Sequence, residues 1–180
     1  YIIENKLDLM VDNKEIKRLV VKSMASDNVQ ANLVMIFNLK KLTEIEKNIT
    51  FNVFNYLYGS GGLTSKLYQS IREKNSLCYA ISSMYLKYDK LLLVHISLEQ
   101  ANVKKATSLV KKELKNMQVG NFTEEELKDA INNMIVSLDM AQDNNVSIIN
   151  NYVFHVFDNL PMPEERVEMF KNEKEIVKSS

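Results

Sequence analysis

Two histidines and one cysteine are all that 180 residues contain of the side chains that most often hold zinc or form disulfides. Cys78 alone cannot make an internal disulfide, which points to reducing, cytoplasmic surroundings. His95 and His155 lie far apart, and neither H-E-x-x-H nor H-x-x-E-H occurs, so neither is read as a zinc ligand. No apolar run approaches the length of a membrane span, and no charged-then-apolar leader opens the chain. Charge of one sign is also missing. Lys plus Arg and Asp plus Glu both number 23, so there is no global field to gather nucleic acid or an anionic membrane, and a partner must be recognised locally. Tryptophan is absent, prolines number two and glycines four, which excludes collagen-like and low-complexity linker classes. The chain begins at Tyr1 and stops at Ser180, and it is expected to be a piece excised from a longer protein.

What is present is the balance of a folded domain, 46% apolar and 26% charged. The expectation is a single α+β domain over residues 1–180, a largely antiparallel sheet covered by helices on one face. The branched, apolar run Val29–Phe37 predicts a buried strand, and a second is expected over Arg18–Met24. Thr43 and Glu46 form a capping box ahead of Ile45, Ile49, Val53 and Leu57, a helix expected to end near Tyr58. The loop Gly59-Ser60-Gly61-Gly62 then feeds a short helix with Leu63, Leu67 and Ile71 on its apolar face. Leu77–Tyr88 and Leu91–Leu98, separated by Asp89-Lys90, predict a hairpin. Val103, Ala106, Val110, Leu114 and Met117 line a helix stopped by Gly120. A capping box at Thr123 and Glu126 opens another through Leu127, Ile131, Met134, Leu138 and Ala141. After Asp143-Asn144-Asn145 the stripe restarts at Val146, Ile149, Val153 and Val156. Pro161 and Pro163 end it, and Val167, Phe170 and Val177 predict a last helix.

The glycine loop invites a phosphate site, because glycines let backbone N–H groups approach an anion. The spacing fails. Counting from Gly59, a P-loop requires Gly-Lys-Ser/Thr where Thr64-Ser65-Lys66 stands, and the dinucleotide fingerprint requires glycine at Thr64. Glu124-Glu125-Glu126 sits at a helix start, where the dipole favours carboxylates without any metal. Cys78 is explained by packing and the nine methionines by core filling. Arg72 and Tyr79 bracket the turn Glu73-Lys74-Asn75-Ser76, so both can serve one surface beside the loop. A guanidinium fork and a phenol are donors suited to a peptide carbonyl or its oxyanion. The residues alone equally permit a surface ion pair of Arg72 with Glu73 or Glu44 and core packing of Tyr79.

The run from Gly59 to Ser83 contains a glycine loop, Ser65-Lys66-Leu67-Tyr68, Arg72-Glu73-Lys74, then Leu77-Cys78-Tyr79 and a small-residue strand. In that order and spacing it resembles the second-domain motif of the pitrilysin/insulinase-type zinc peptidases, over roughly Gln30 to Asn159. It departs from that pattern at Ser76, where glycine is common. The resemblance implies the non-metal domain of such an enzyme, facing a zinc-bearing domain or subunit of the same family across a chamber that holds extended peptides. It implies that Arg72 and Tyr79, with Gly61 and Gly62 as further candidates, contact the substrate, and that the zinc and the catalytic residues lie in the partner. A donor of this kind is worth ~3 kcal/mol in a water-excluding site. The other reading is a non-catalytic partner or scaffold subunit that binds peptide or another subunit without hydrolysis.

Overall fold

Strict alternation along Leu91–Leu98 sets the centre of the sheet. In the computed structural model, which describes residues 20–24 and 30–172, this strand buries Leu92, Val94, Ile96 and Leu98 while the residues between them are only partly covered. One face is therefore packed and the other open. Strands β1 (Ala31–Asn38), β2 (Cys78–Leu86) and β3 (Leu91–Leu98) form an antiparallel sheet of order β1-β3-β2. The expected hairpin is thus present, and β1 returns to the far side of β3, pairing Val34 with His95 and Phe37 with Leu92. On the open face, Val34, Ile36 and Met84 are half exposed or more.

Helix α1 covers residues 44–60 and contains two widened π-type stretches, Glu46–Thr50 and Tyr56–Ser60, around the α-helical turn Phe51–Asn55. It opens as expected: the Thr43 N–H donates to Glu46 Oε2 at 2.7 Å and the Glu46 N–H to Thr43 Oγ1 at 3.2 Å. It runs past Tyr58 because the Gly61 N–H reaches back to the Tyr56 carbonyl at 2.9 Å, five residues away, which adds a wide final turn. A 3₁₀ turn, Gly62–Thr64, leads to α2, residues 66–73, of which Tyr68–Glu73 is again π-type. Leu67 and Ile71 are fully buried, but Leu63 stays in the preceding turn, 66% exposed.

Helices α3 (Val103–Gln118), α4 (Glu124–Gln142), α5 (Asn145–Asp158) and α6 (Pro163–Asn172) complete the helical layer. Gly120, at φ +72°, ends α3: its N–H bonds to the Met117 carbonyl and the Asn121 N–H to the Asn116 carbonyl, a Schellman closure that an L side chain would strain. The Thr123–Glu126 capping box is present with both bonds. The core lies between the sheet and α1 to α4, with Ile49, Val53, Tyr58, Val110 and Ile131 among its members and Phe170 of α6 at its margin. Tyr58 satisfies its buried hydroxyl by donating to the Val110 carbonyl at 3.0 Å.

Two expectations require correction. Arg18 and Leu19 lie outside the described residues, and 20–24 carry no strand: Val20, Val21 and Met24 are exposed, so a branched run without a sheet face to pack on does not become one. The stripe Val146, Ile149, Val153 and Val156 is helical, but it faces outward, 40–65% exposed. The other side of α5 meets the domain through Asn151, Phe154 and Asp158. Val177 lies outside the described residues.

Candidate functional site

The motif segment is held by packing rather than by a bound anion. Gly59 ends α1 directly against β2 and α2, where a Cβ would lie 2.7 Å from Ser83 Oγ and 2.8 Å from Leu67 Cδ1. Only glycine permits this approach. Gly61 packs on Tyr56 in the same way, whereas Gly62 has open space around it and is glycine for its φ of +63°. Ser65 fixes the loop from inside: its hydroxyl donates to the Gly62 carbonyl at 2.8 Å, and the residue is 1% exposed. Lys66 then pairs with Glu126 at 2.6 Å, tying the start of α2 to the start of α4. Burial raises the Glu126 pKa, but the Lys66 ammonium and the Thr123 cap outweigh it and hold the carboxyl below its ordinary range.

Arg72 is exposed near the end of α2, its guanidinium 5.0 Å from the centroid of the Tyr68 ring. Among the described residues no carboxylate pairs with it, so the ion pair with Glu73 or Glu44 is not formed. A guanidinium stacked on an aromatic face keeps its in-plane donors available. The helix closes through Ser76 at φ +50°, the Ser76 N–H bonding to the Arg72 carbonyl and the Leu77 N–H to the Ile71 carbonyl.

A β-bulge places Tyr79. Cys78 pairs with Leu98 and Ala80 with Ser97, which leaves Tyr79 as the extra residue. Without the bulge Tyr79 would share the helix-facing parity of Ile81 and Ser83; with it the side chain is released and is 50% exposed. Core packing of Tyr79 is thereby ruled out. Its hydroxyl donates to Glu99 Oε1 at 3.1 Å, and that bond, with the carboxylate's charge, raises the phenol's pKa. Cys78 is partly buried, and burial pushes its thiol pKa up while the nearby Arg72 charge pulls it down. Arg72 and Tyr79 thus flank the entry to β2, one from α2 and one from the bulge.

Glu99 went unnoticed in the sequence, and Tyr68 was read only as the aromatic of the motif. Tyr68 lies four residues before Arg72, a helical neighbour spacing that signals contact. Glu99 follows the last paired residue of β3, so the hairpin register would bring it near Tyr79. Neither histidine approaches this region: His95 Nε2 is 3.1 Å from Asn32 Oδ1 on the open sheet face, and His155 Nδ1 is 2.9 Å from the Leu160 carbonyl. Among the described residues no three His, Cys, Asp or Glu side chains gather as metal ligands, so these residues do not fit a zinc site. A cleft of about 410 Å³ lies between α1, α5 and α6, lined by Lys47, Asn48, Phe157 and Asp158 among others, and contains none of the candidate residues.

Residues 6–134 match the family model described as the peptidase M16 inactive domain. The chain belongs to that family. Curated relatives agree. One, named a probable inactive metalloprotease YmfF of Bacillus subtilis, is 34% identical over 87 residues, 47% of this chain and 20% of its own length. Another, an uncharacterized zinc protease of Rickettsia bellii, is 28% identical over 154 residues, 82% of this chain and 36% of its own. This M16 inactive domain spans about a fifth to just over a third of the length of the curated relatives it matches. The solved peptidase M16 inactive domain from Pseudomonas fluorescens superimposes with a TM-score of 0.68 at 20% identity, covering 83% of this chain and 37% of that one. A conserved protein from Enterococcus faecalis gives 0.70 at 22% identity, covering 84% and 37%. Both support the α+β fold, and the family read from Gly59 to Tyr79 is borne out.

Proposed function

We propose that this M16 inactive domain is the substrate-contacting, non-zinc part of a zinc endopeptidase acting on extended peptides. Arg72 supplies donors to the peptide backbone or the oxyanion, Tyr79 adds its own by exchanging the bond to Glu99 for one to the peptide, and the open space around Gly62, next to Gly61, gives that backbone room to approach. The observation that carries this reading is the exposed guanidinium of Arg72, with no carboxylate partner among the described residues, together with a tyrosine turned outward by the bulge at the start of β2. The zinc would be held by a domain or subunit of the same family, since the described residues do not fit one. When bound there it would activate the attacking water. This chain's own part is to hold the peptide in place and to offer hydrogen bonds where charge develops.

In the parent protein or complex, Arg72→Ala is expected to lower kcat/KM for peptide hydrolysis by ~100-fold, as loss of one oxyanion donor does elsewhere. Unchanged hydrolysis would end this assignment. A second reading is favoured by the name of the Bacillus subtilis relative, a probable inactive metalloprotease. On it, the parent binds peptide or another subunit without cleaving. Zinc analysis of the parent separates the two, because a parent that binds no metal cannot be the catalyst.

A further inference from the structure

Asn48 stands at the centre of the π-type stretch Glu46–Thr50, lines the cleft between α1, α5 and α6, and is only 8% exposed. Its Nδ2 donates to Glu44 Oε2 at 3.3 Å, while its Oδ1 is closed to water and has no hydrogen-bond partner among the described residues. Turning the amide over gives no relief, because Oδ1 would then face the Glu44 carboxylate. A buried acceptor in this state is destabilising and calls for an explanation. Widened turns of the kind that carries Asn48 are frequent at functional sites.

The other groups around the cleft define what fits it. Asp158 is already met by Lys47 at 3.4 Å, by Lys87, and by the Tyr88 hydroxyl at 3.2 Å. That also engages Lys47, the one cation lining the cleft among the described residues. The Glu44 side chain is 74% exposed, 3.7 Å from Lys47, and its carboxylate keeps lone pairs open to a further donor. The unfilled valences are therefore acceptors. The last residues of α5 line the same space and bring the negative end of that helix's dipole to it. Phe157, Ile45 and Met169 supply apolar walls. The volume, about 410 Å³, falls in the ~300–1,000 Å³ range of small-molecule sites. An anion is disfavoured by the acceptors and the dipole, and a metal ion lacks ligands, since no three His, Cys, Asp or Glu side chains gather among the described residues. A single water would satisfy Oδ1 but leaves Glu44 and the apolar walls unused.

We propose that this cleft binds a small primary amine in its ammonium form, whose N–H groups donate to Asn48 Oδ1 and the Glu44 carboxylate while its apolar body lies against Phe157, Ile45 and Met169. Because Oδ1 is closed to water, binding includes a side-chain movement that uncovers it, and Glu44 and Phe157, both largely exposed, are placed to make it. Phenethylamine, protonated at neutral pH, is the probe, added to the isotope-labelled chain and followed in amide correlation spectra. The expected result is a saturable shift of the Asn48 side-chain amide and of the backbone signals of Ile45, Lys47 and Asn159, with a Kd on the order of 1 mM, ordinary for a ligand of this size. Phenylethanol, the same body without the charge, should bind at least ~10-fold more weakly, and phenylpropionate should produce no shift. Glu44→Gln, at an exposed position that the fold does not depend on, should weaken phenethylamine ~10-fold by removing the charged acceptor. Asn48→Leu should weaken it at least as much, ~10-fold or more, with unchanged far-UV circular dichroism showing that the fold is kept. No saturable shift up to ~20 mM phenethylamine, equal binding of phenylethanol, or unaltered binding by Glu44→Gln would each overturn the proposal. None of these results bears on Arg72 and Tyr79, which lie outside the cleft.

Discussion

Replacing Ser76 by glycine should stabilise the domain, and the size of the gain can be worked from the backbone. Ser76 holds φ +50° at the end of α2, where a Cβ crowds the following carbonyl at a cost of about 1–2 kcal/mol. Glycine removes that cost but brings back about 0.5–1 kcal/mol of unfolded-chain entropy. The net expectation for Ser76→Gly is about 0.5–1 kcal/mol of added stability, or roughly 1–4 °C in Tm for a domain of this size. Both closing bonds, from Ser76 N–H to Arg72 and from Leu77 N–H to Ile71, are backbone bonds and survive the change. Urea denaturation should show a raised midpoint with unaltered slope. Asn159, at the same φ of 50°, is an internal reference. Asparagine tolerates the left-handed region better than serine, so Asn159→Gly should gain less. A midpoint that falls at Ser76→Gly, or a larger gain at Asn159, would refute the account of the turn.

Gly59→Ala should cost about 1–3 kcal/mol, since its Cβ would collide with Ser83 and Leu67 in a packed layer; thermal denaturation measures it. Tyr58→Phe should cost about 1 kcal/mol by removing the buried bond to the Val110 carbonyl, read as a lower urea midpoint. Acid should unfold the domain in part through Glu126 and Asp158. Burial raises both pKa values, but Lys66 with Thr123 and Lys87 with Lys47 outweigh it, leaving them below the ordinary 4.5 and 3.8. Because these folded-state values lie below the unfolded ones, the stabilisation is complete above about pH 4.5 and is lost as pH falls through the depressed values. Asp158→Asn should therefore flatten the decline of Tm between pH 5 and pH 3, a window that follows from those shifts; an unchanged slope would remove Asp158 from the explanation.

Local chemistry was legible in the sequence wherever it is decided within one turn. Both capping boxes, the stop at Gly120 and the buried alternation of Leu92, Val94, Ile96 and Leu98 follow from residues adjacent in the chain. The glycine loop was read as a break that begins at Gly59, whereas α1 runs through Ser60 and breaks at Gly61, and the reason for Gly59, contact with Ser83 on another element, became visible only in three dimensions. What escaped the sequence depends on distant partners. The bulge that frees Tyr79 is a mismatch between two strands. The direction of α5 is set by Lys47, Lys87 and Arg166, contributed by three other elements, and no periodicity in α5 reports on them.

The widened turns of α1 and α2 have a consequence for comparing this chain with its relatives. A π-type stretch accommodates one residue more than an α-helix of the same span. Deleting one residue within Tyr68–Glu73 would let α2 wind as a regular helix of nearly the same length, with both ends still seated. Residues downstream of the deletion would keep the faces they present now, and with the deletion placed between them Arg72 would stand three residues after Tyr68 instead of four, still a helical neighbour. A one-residue gap at this place in an aligned relative would therefore mark a tightened turn, with the arginine still on the same side of the helix.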